Sequence, residues 1–139
     1  DLAMTRFGQY WKRAFRAGHA YAEVAERFRG TDMPLWEDDV RRNFRRGLFF
    51  LSTPLVALAL SLGLKNPWPF VALLSLFALL ALRTAPKVGW KSRDLLTRLL
   101  YGLHSHFQQV PIFFGQLSFR RDRRAGRRRM LIDYKEAPR

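Results

Sequence analysis

The chain has 139 residues, the length of one domain, with 25 Lys and Arg against 11 Asp and Glu for a formal net charge of +14. It contains no cysteine, which excludes disulfides, thiolate metal sites and cysteine nucleophiles together. The charge calls for an anionic partner, and the candidates are lipid head groups, nucleic acid or a phosphorylated substrate.

Met4 to Phe28 predicts one amphipathic helix. At about 100° per residue, Met4, Phe7, Tyr10, Trp11, Ala14, Phe15, Gly18, Tyr21, Ala22, Ala25 and Phe28 share one half of the circumference. Arg6, Lys12, Arg13, Arg16, His19, Glu23, Glu26 and Arg27 take the other half, where His19 is expected to be solvated. An aromatic face opposite a basic one suits a helix lying flat at a membrane surface. Taken alone, the same pattern also fits a surface helix on a soluble core. Nothing apolar lies near Asp1, so no secretory signal is read there, and Asp1 is expected to be a processed or internal residue.

"RGTDMPLWEDD" (29–39) reads as a turn, with Asp38 or Asp39 capping the helix that follows. A metal-binding role for that carboxylate pair is the weaker alternative. Arg41, Arg42, Arg45 and Arg46 come next, directly before "GLFFLSTPLVALALSLGL" (47–64), which carries no charge. As a helix this run extends about 27 Å, close to the roughly 30 Å of a hydrocarbon core. Pro54 interrupts it, but Ser52 and Thr53 stand beside the proline and can satisfy a freed carbonyl. After the turn "KNPWP", a second uncharged run ends at Leu82, with Trp68 at interfacial depth. Both runs are apolar on every face, whereas a soluble helix keeps a polar stripe. They predict a transmembrane hairpin with spans at 47–64 and 67–82. Lys65 is the sole charge in its loop, while Arg83, Lys87, Lys91 and Arg93 flank the far side. Positive flanks stay cytoplasmic, so both termini face in. The arginines fix topology and bind anionic lipid.

"TAPKVGWKSRD" (84–94) reads as a linker. Residues 95–119 are apolar but hold Arg98, His104, His106, Gln108, Gln109, Pro111 and Gln116. A third span would need those groups to face a partner or cavity. An interfacial or re-entrant pair of helices broken near Pro111 is the preferred reading. "RRDRRAGRRR" (120–129) and a mixed tail follow. His104 and His106 are two apart, which places them on different faces of a helix and makes them a poor metal pair. No phosphate-binding glycine loop, nucleophile elbow or metalloprotease box is present. The arginine run lacks the aromatic interleaving of a nucleic-acid surface, so lipid is the preferred anion.

"MTRFGQYWKRAFRAGHAYAEV" (4–24), the paired apolar runs and "YGLHSHFQQVPIFFGQL" (101–117) resemble the C-terminal part of bacterial membrane-bound family 2 glycosyltransferases. In that family a cytoplasmic catalytic domain runs into an interfacial helix and then membrane helices. Processive members carry Q-x-x-R-W beside the acceptor sugar. Gln9, Tyr10, Trp11, Lys12 and Arg13 echo this, although the tryptophan precedes the basic residues. The resemblance implies an acceptor side at Gln9, Trp11, Arg13 and Arg16. The family's nucleotide-sugar and D-x-D sites would lie upstream, in a part absent from this sequence, so the chain as given is expected to be non-catalytic.

The expectation is therefore an all-α membrane protein in three parts. Residues 1–40 form an interfacial helix and loop, 41–94 the transmembrane hairpin, and 95–139 a membrane-associated segment with a basic tail. Gly47, Gly63, Ser52, Ser61 and Ser75 offer small faces for helix contact. Head-group binding is expected at Arg41, Arg42, Arg45, Arg46, Arg120, Arg121, Arg123, Arg124, Arg127, Arg128 and Arg129. No cofactor or metal is called for. The expected role is anchoring and packing within a larger assembly of the bacterial inner membrane. One alternative is the acceptor-side part of an active transferase; another is an accessory subunit of a photosynthetic or respiratory complex.

Overall fold

The computed structural model describes residues 7–90 and 93–127. They are all-helical, with no strand among them. Five α-helices follow in order: α1 (Phe7–Arg27), α2 (Glu37–Leu64), α3 (Trp68–Thr84), α4 (Leu95–Phe107) and α5 (Gln109–Arg124). A short 3-10 helix, Ala85–Val88, continues α3. The chain divides into two compact units, one containing residues up to Arg45 and from Pro111 onward, the other Arg46–Val110.

In the first unit α1 lies against α5, and the contact is made by small residues. Ala14, Gly18, Ala22 and Ala25 are the small buried residues of α1, a stripe at helical spacing, and His19 is buried beside them. A Cβ at Gly18 would sit 2.0 Å from the Ile112 carbonyl oxygen, and one at Gly115 2.0 Å from that of Phe15. Only two glycines allow the backbones so close. Trp11 meets Phe114 with ring centroids 6.3 Å apart, and Phe44, near the start of α2, meets Phe113 at 4.9 Å.

His19 is not solvated as its place on the polar half predicts. It is 4% exposed and packs edge-on against Phe119 at 5.3 Å. The helical wheel assigns it to the outer face, but Phe119 of α5 reaches round to cover it. Gln116 is wholly buried, and its Nε2 donates to the Val40 carbonyl at 3.3 Å.

α2 begins at Glu37, so Asp38 and Asp39 stand in its first turn and neither is the cap. Carboxylates there favour the partial positive charge of the helix start. Asp39 also pairs with Arg42 one turn on. Trp36, just before the helix, holds a left-handed φ of 59° and stacks edge-on against Tyr21 at 4.9 Å.

In the second unit the rest of α2 returns through a tight turn into α3. Lys65 adopts φ 49°, its N–H reaches the Leu62 carbonyl, and Asn66 N–H reaches that of Ser61. This is a Schellman ending with lysine where glycine is usual. Asn66 Oδ1 accepts from Trp68 N–H at 3.0 Å, and Pro67 leads into α3, where its missing N–H costs nothing. Phe50 of α2 meets Phe77 of α3 at 5.7 Å. Pro54 has no N–H for the Phe50 carbonyl. The neighbouring hydroxyls serve Phe49 instead, Thr53 at 2.9 Å and Ser52 at 3.3 Å.

α4 packs on α3 through Gly102, whose absent Cβ would lie 2.9 Å from the Ala81 carbonyl. Gly63, expected at a helix contact, has nothing within 4 Å of such a Cβ. The helix break falls at Gln108, and Pro111 sits inside the first turn of α5, where a proline removes no internal hydrogen bond. α5 runs on to Arg124 and takes up the first half of the arginine run, which the sequence reading assigned to a tail.

Candidate basic surface site

The fold brings several of the expected cationic residues to one surface of the first unit. α5 presents Arg120, Arg123 and Arg124 around a cavity of about 560 Å³, with Arg29 and Glu26 contributed from the end of α1. Ala22, Ala25, Val40 and Phe119 form its apolar wall. A second cavity of about 410 Å³ shares Arg29, Val40 and Arg120 and adds Glu37 and Arg41. Arg120 lies 4.2 Å over the Phe44 ring, a cation–π contact that fixes the guanidinium.

Two carboxylates partly offset this charge. Glu26 meets Arg123 at 2.7 Å and Arg29 at 3.2 Å, while Glu37 meets Arg29 at 3.6 Å. The arginines of these pairs are solvent-exposed and the carboxylates half-buried; each pair contributes about 0–1 kcal/mol, so they orient the arginines more than they hold the fold. Guanidinium forks set around a concave surface bind phosphate or carboxylate anions in bidentate fashion. Among the described residues no three His, Asp or Glu side chains gather where they would hold a metal ion.

The other expected residues divide. Arg45, Arg121 and Arg127 are exposed, and Arg46 is exposed in the second unit. Arg128 and Arg129 lie outside the described residues. Gln9, Arg13 and Arg16 lie at helical spacing along one exposed edge of α1. Trp11 does not join them, because it turns inward to Phe114. Burial raises the Tyr10 hydroxyl to about 12, so it stays protonated at neutral pH. In the second unit His104 is exposed beside Tyr101, while His106 Nε2 lies 3.1 Å from the Thr84 hydroxyl.

Sequence reasoning found the arginines from their clustering. It did not find Arg29 or Glu26 as parts of the same surface, because their nearness to α5 is a tertiary fact. Spacing to Arg123 carries no such signal.

The molecule belongs to the class of all-helical proteins with two helices, Glu37–Leu64 and Trp68–Val88, long and apolar enough to cross a membrane. Comparison with protein-family models, with curated proteins and with solved structures gives no match.

Proposed function

We propose that the chain is a non-catalytic integral-membrane module that anchors and packs within a larger assembly. In this reading α2 and α3 cross the bilayer as a hairpin, both termini face the cytoplasm, and the arginine surface of the first unit meets anionic head groups. One observation carries it. The apolar windows of the two long helices are only 11% and 17% buried. Leu55, Leu62, Leu64, Leu74 and Leu79 are each more than three-fifths exposed. A core helix of a soluble protein buries such residues, and leaving them in water forgoes roughly 1.5–3 kcal/mol per large side chain.

Membrane fractionation tests the reading. The chain should resist alkaline carbonate and salt, and leave the membrane only with detergent. Recovery as a monodisperse, folded polypeptide in detergent-free buffer would overturn it.

A second reading rests on the exposed row Gln9, Arg13 and Arg16 along α1. There the module is the acceptor-side region of a membrane glycosyltransferase. It requires a parent protein of several hundred residues carrying a D-x-D motif. The mass of the cellular protein decides between the two.

A further inference from the structure

The second unit contains a cavity of about 530 Å³ at the end of the helical hairpin away from the Lys65 turn. Its cations come from three elements: Arg46 from α2, Arg83 from the last turn of α3, and Lys87 from the 3-10 helix. No carboxylate lines it. None of the three cations has an ion-pair partner among the described residues. Three like charges around one concavity repel unless an anion sits between them.

Two further side chains, Gln109 and His106, define the ligand. Gln109 lines the cavity, is 7% exposed, and its Oε1 has no hydrogen-bond donor. A buried acceptor left unmade costs about 1–3 kcal/mol, so a ligand that brings a donor relieves it. His106 is held in place. Thr84 donates its hydroxyl to the Leu80 carbonyl at 2.9 Å, and the Thr84 oxygen and that carbonyl both lie beside His106 Nε2. These two contacts fix the orientation of the ring.

The cavity floor is apolar. Phe49, Phe50 and Leu80 line it, and Phe50 packs on the His106 ring at 5.2 Å. From there the exposed leucines of α2 and α3 lead away along the hairpin. A ligand that fits has an anionic group, a hydroxyl beside it and an apolar body. At about 300–1,000 Å³, ordinary small-molecule sites are of this size.

We propose that this cavity holds the head group of an anionic glycerophospholipid with a free hydroxyl. Its phosphodiester lies among Arg46, Arg83 and Lys87, a head-group hydroxyl donates to Gln109 Oε1, and the acyl chains follow the exposed leucines. This rests on the membrane reading above. It differs from general attraction of arginines to a charged surface because it names one site and one hydrogen-bond acceptor.

The test uses the full chain in nanodiscs or detergent, with thermal shift and native mass spectrometry as readouts. Phosphatidylglycerol should bind and stabilise, whereas phosphatidylcholine and inorganic phosphate should not. The double substitution Arg83→Gln with Lys87→Gln should weaken phosphatidylglycerol by about tenfold or more. Lys12→Gln with Arg27→Gln removes the same charge from the exposed side of α1 and should change little. Gln109→Leu should weaken phosphatidylglycerol but leave phosphatidylethanol, the same phosphodiester with no head-group hydroxyl, unchanged. Circular dichroism identifies variants that have lost their fold, and the Gln109→Leu comparison then stands on its own. Equal binding of phosphatidylcholine, binding of inorganic phosphate at the affinity of the lipid, or indifference to both the double substitution and Gln109→Leu would overturn the proposal. A chain that inserts into phosphatidylcholine vesicles yet discriminates no head group sinks the site alone. A chain that is soluble without detergent sinks the membrane reading itself.

Discussion

Asp94 stands just before α4, and its Oδ2 accepts from the Thr97 hydroxyl at 2.6 Å and the Thr97 N–H at 2.8 Å. The hydroxyl bond, then the backbone bond, hold its carboxyl below the ordinary carboxylate range. The folded value lies below the unfolded value of about 3.9, so the cap stabilises α4 at neutral pH and its contribution is lost as pH falls through the lowered folded value. Amide-exchange protection at Thr97 should drop on acidification from about pH 6 to about pH 2, and Asp94→Asn should flatten that dependence. A second residue carries backbone strain. Lys65 occupies the left-handed region, which costs a non-glycine residue about 1–2 kcal/mol. Lys65→Gly should raise the thermal midpoint in detergent, by about 1 kcal/mol of stability. The turn "KNPWP" was legible from proline and asparagine. Which residue takes the left-handed position was not, since Lys65 carries no side-chain signal for it.

At the scale of elements, the meeting of α1 and α5 depends on two absent side chains. Gly18→Ala or Gly115→Ala would drive a methyl group to within 2.0 Å of a backbone oxygen on the partner helix. Backbone on both sides cannot yield as a side-chain tip can, so each substitution should destabilise the first unit by about 1–3 kcal/mol or more. Gly8→Ala, with nothing within 4 Å, should leave the midpoint unchanged or raise it. Thermal denaturation of the three variants side by side checks this. The amphipathic stripe of α1 was readable from its period, and Ala14, Gly18, Ala22 and Ala25 are buried as that stripe predicts. Its partner was not readable. His19 shows the reason: a period gives the centre of a buried face, whereas its width depends on what packs there. The small-residue contacts at Gly102 and Gly115, found in place of Gly63, make the same point.

For the molecule as a whole, the surroundings of the two long helices decide how any substitution on them behaves. Leu55 is 62% exposed, near the middle of the apolar stretch of α2. In water, Leu55→Arg would change stability by no more than about 0.5 kcal/mol. In a bilayer, an arginine at the centre of a span opposes insertion by about 2.5–3.5 kcal/mol. The membrane-inserted fraction of Leu55→Arg in a glycosylation or protease-protection assay should therefore fall well below that of the unsubstituted chain. Insertion equal to the unsubstituted chain would place these helices outside lipid.

From the sequence alone came the helical class, the presence of two long apolar helices, and the basic residues around them. Hydrophobic period and charge act locally along a chain, and each of these features is local. Tertiary structure alone decided that Arg29 and Glu26 share a surface with Arg120 and Arg123, that His19 and Gln116 are buried, and that Arg46, Arg83 and Lys87 surround one cavity. Those groupings join residues from different elements, which no local period or charge pattern brings together.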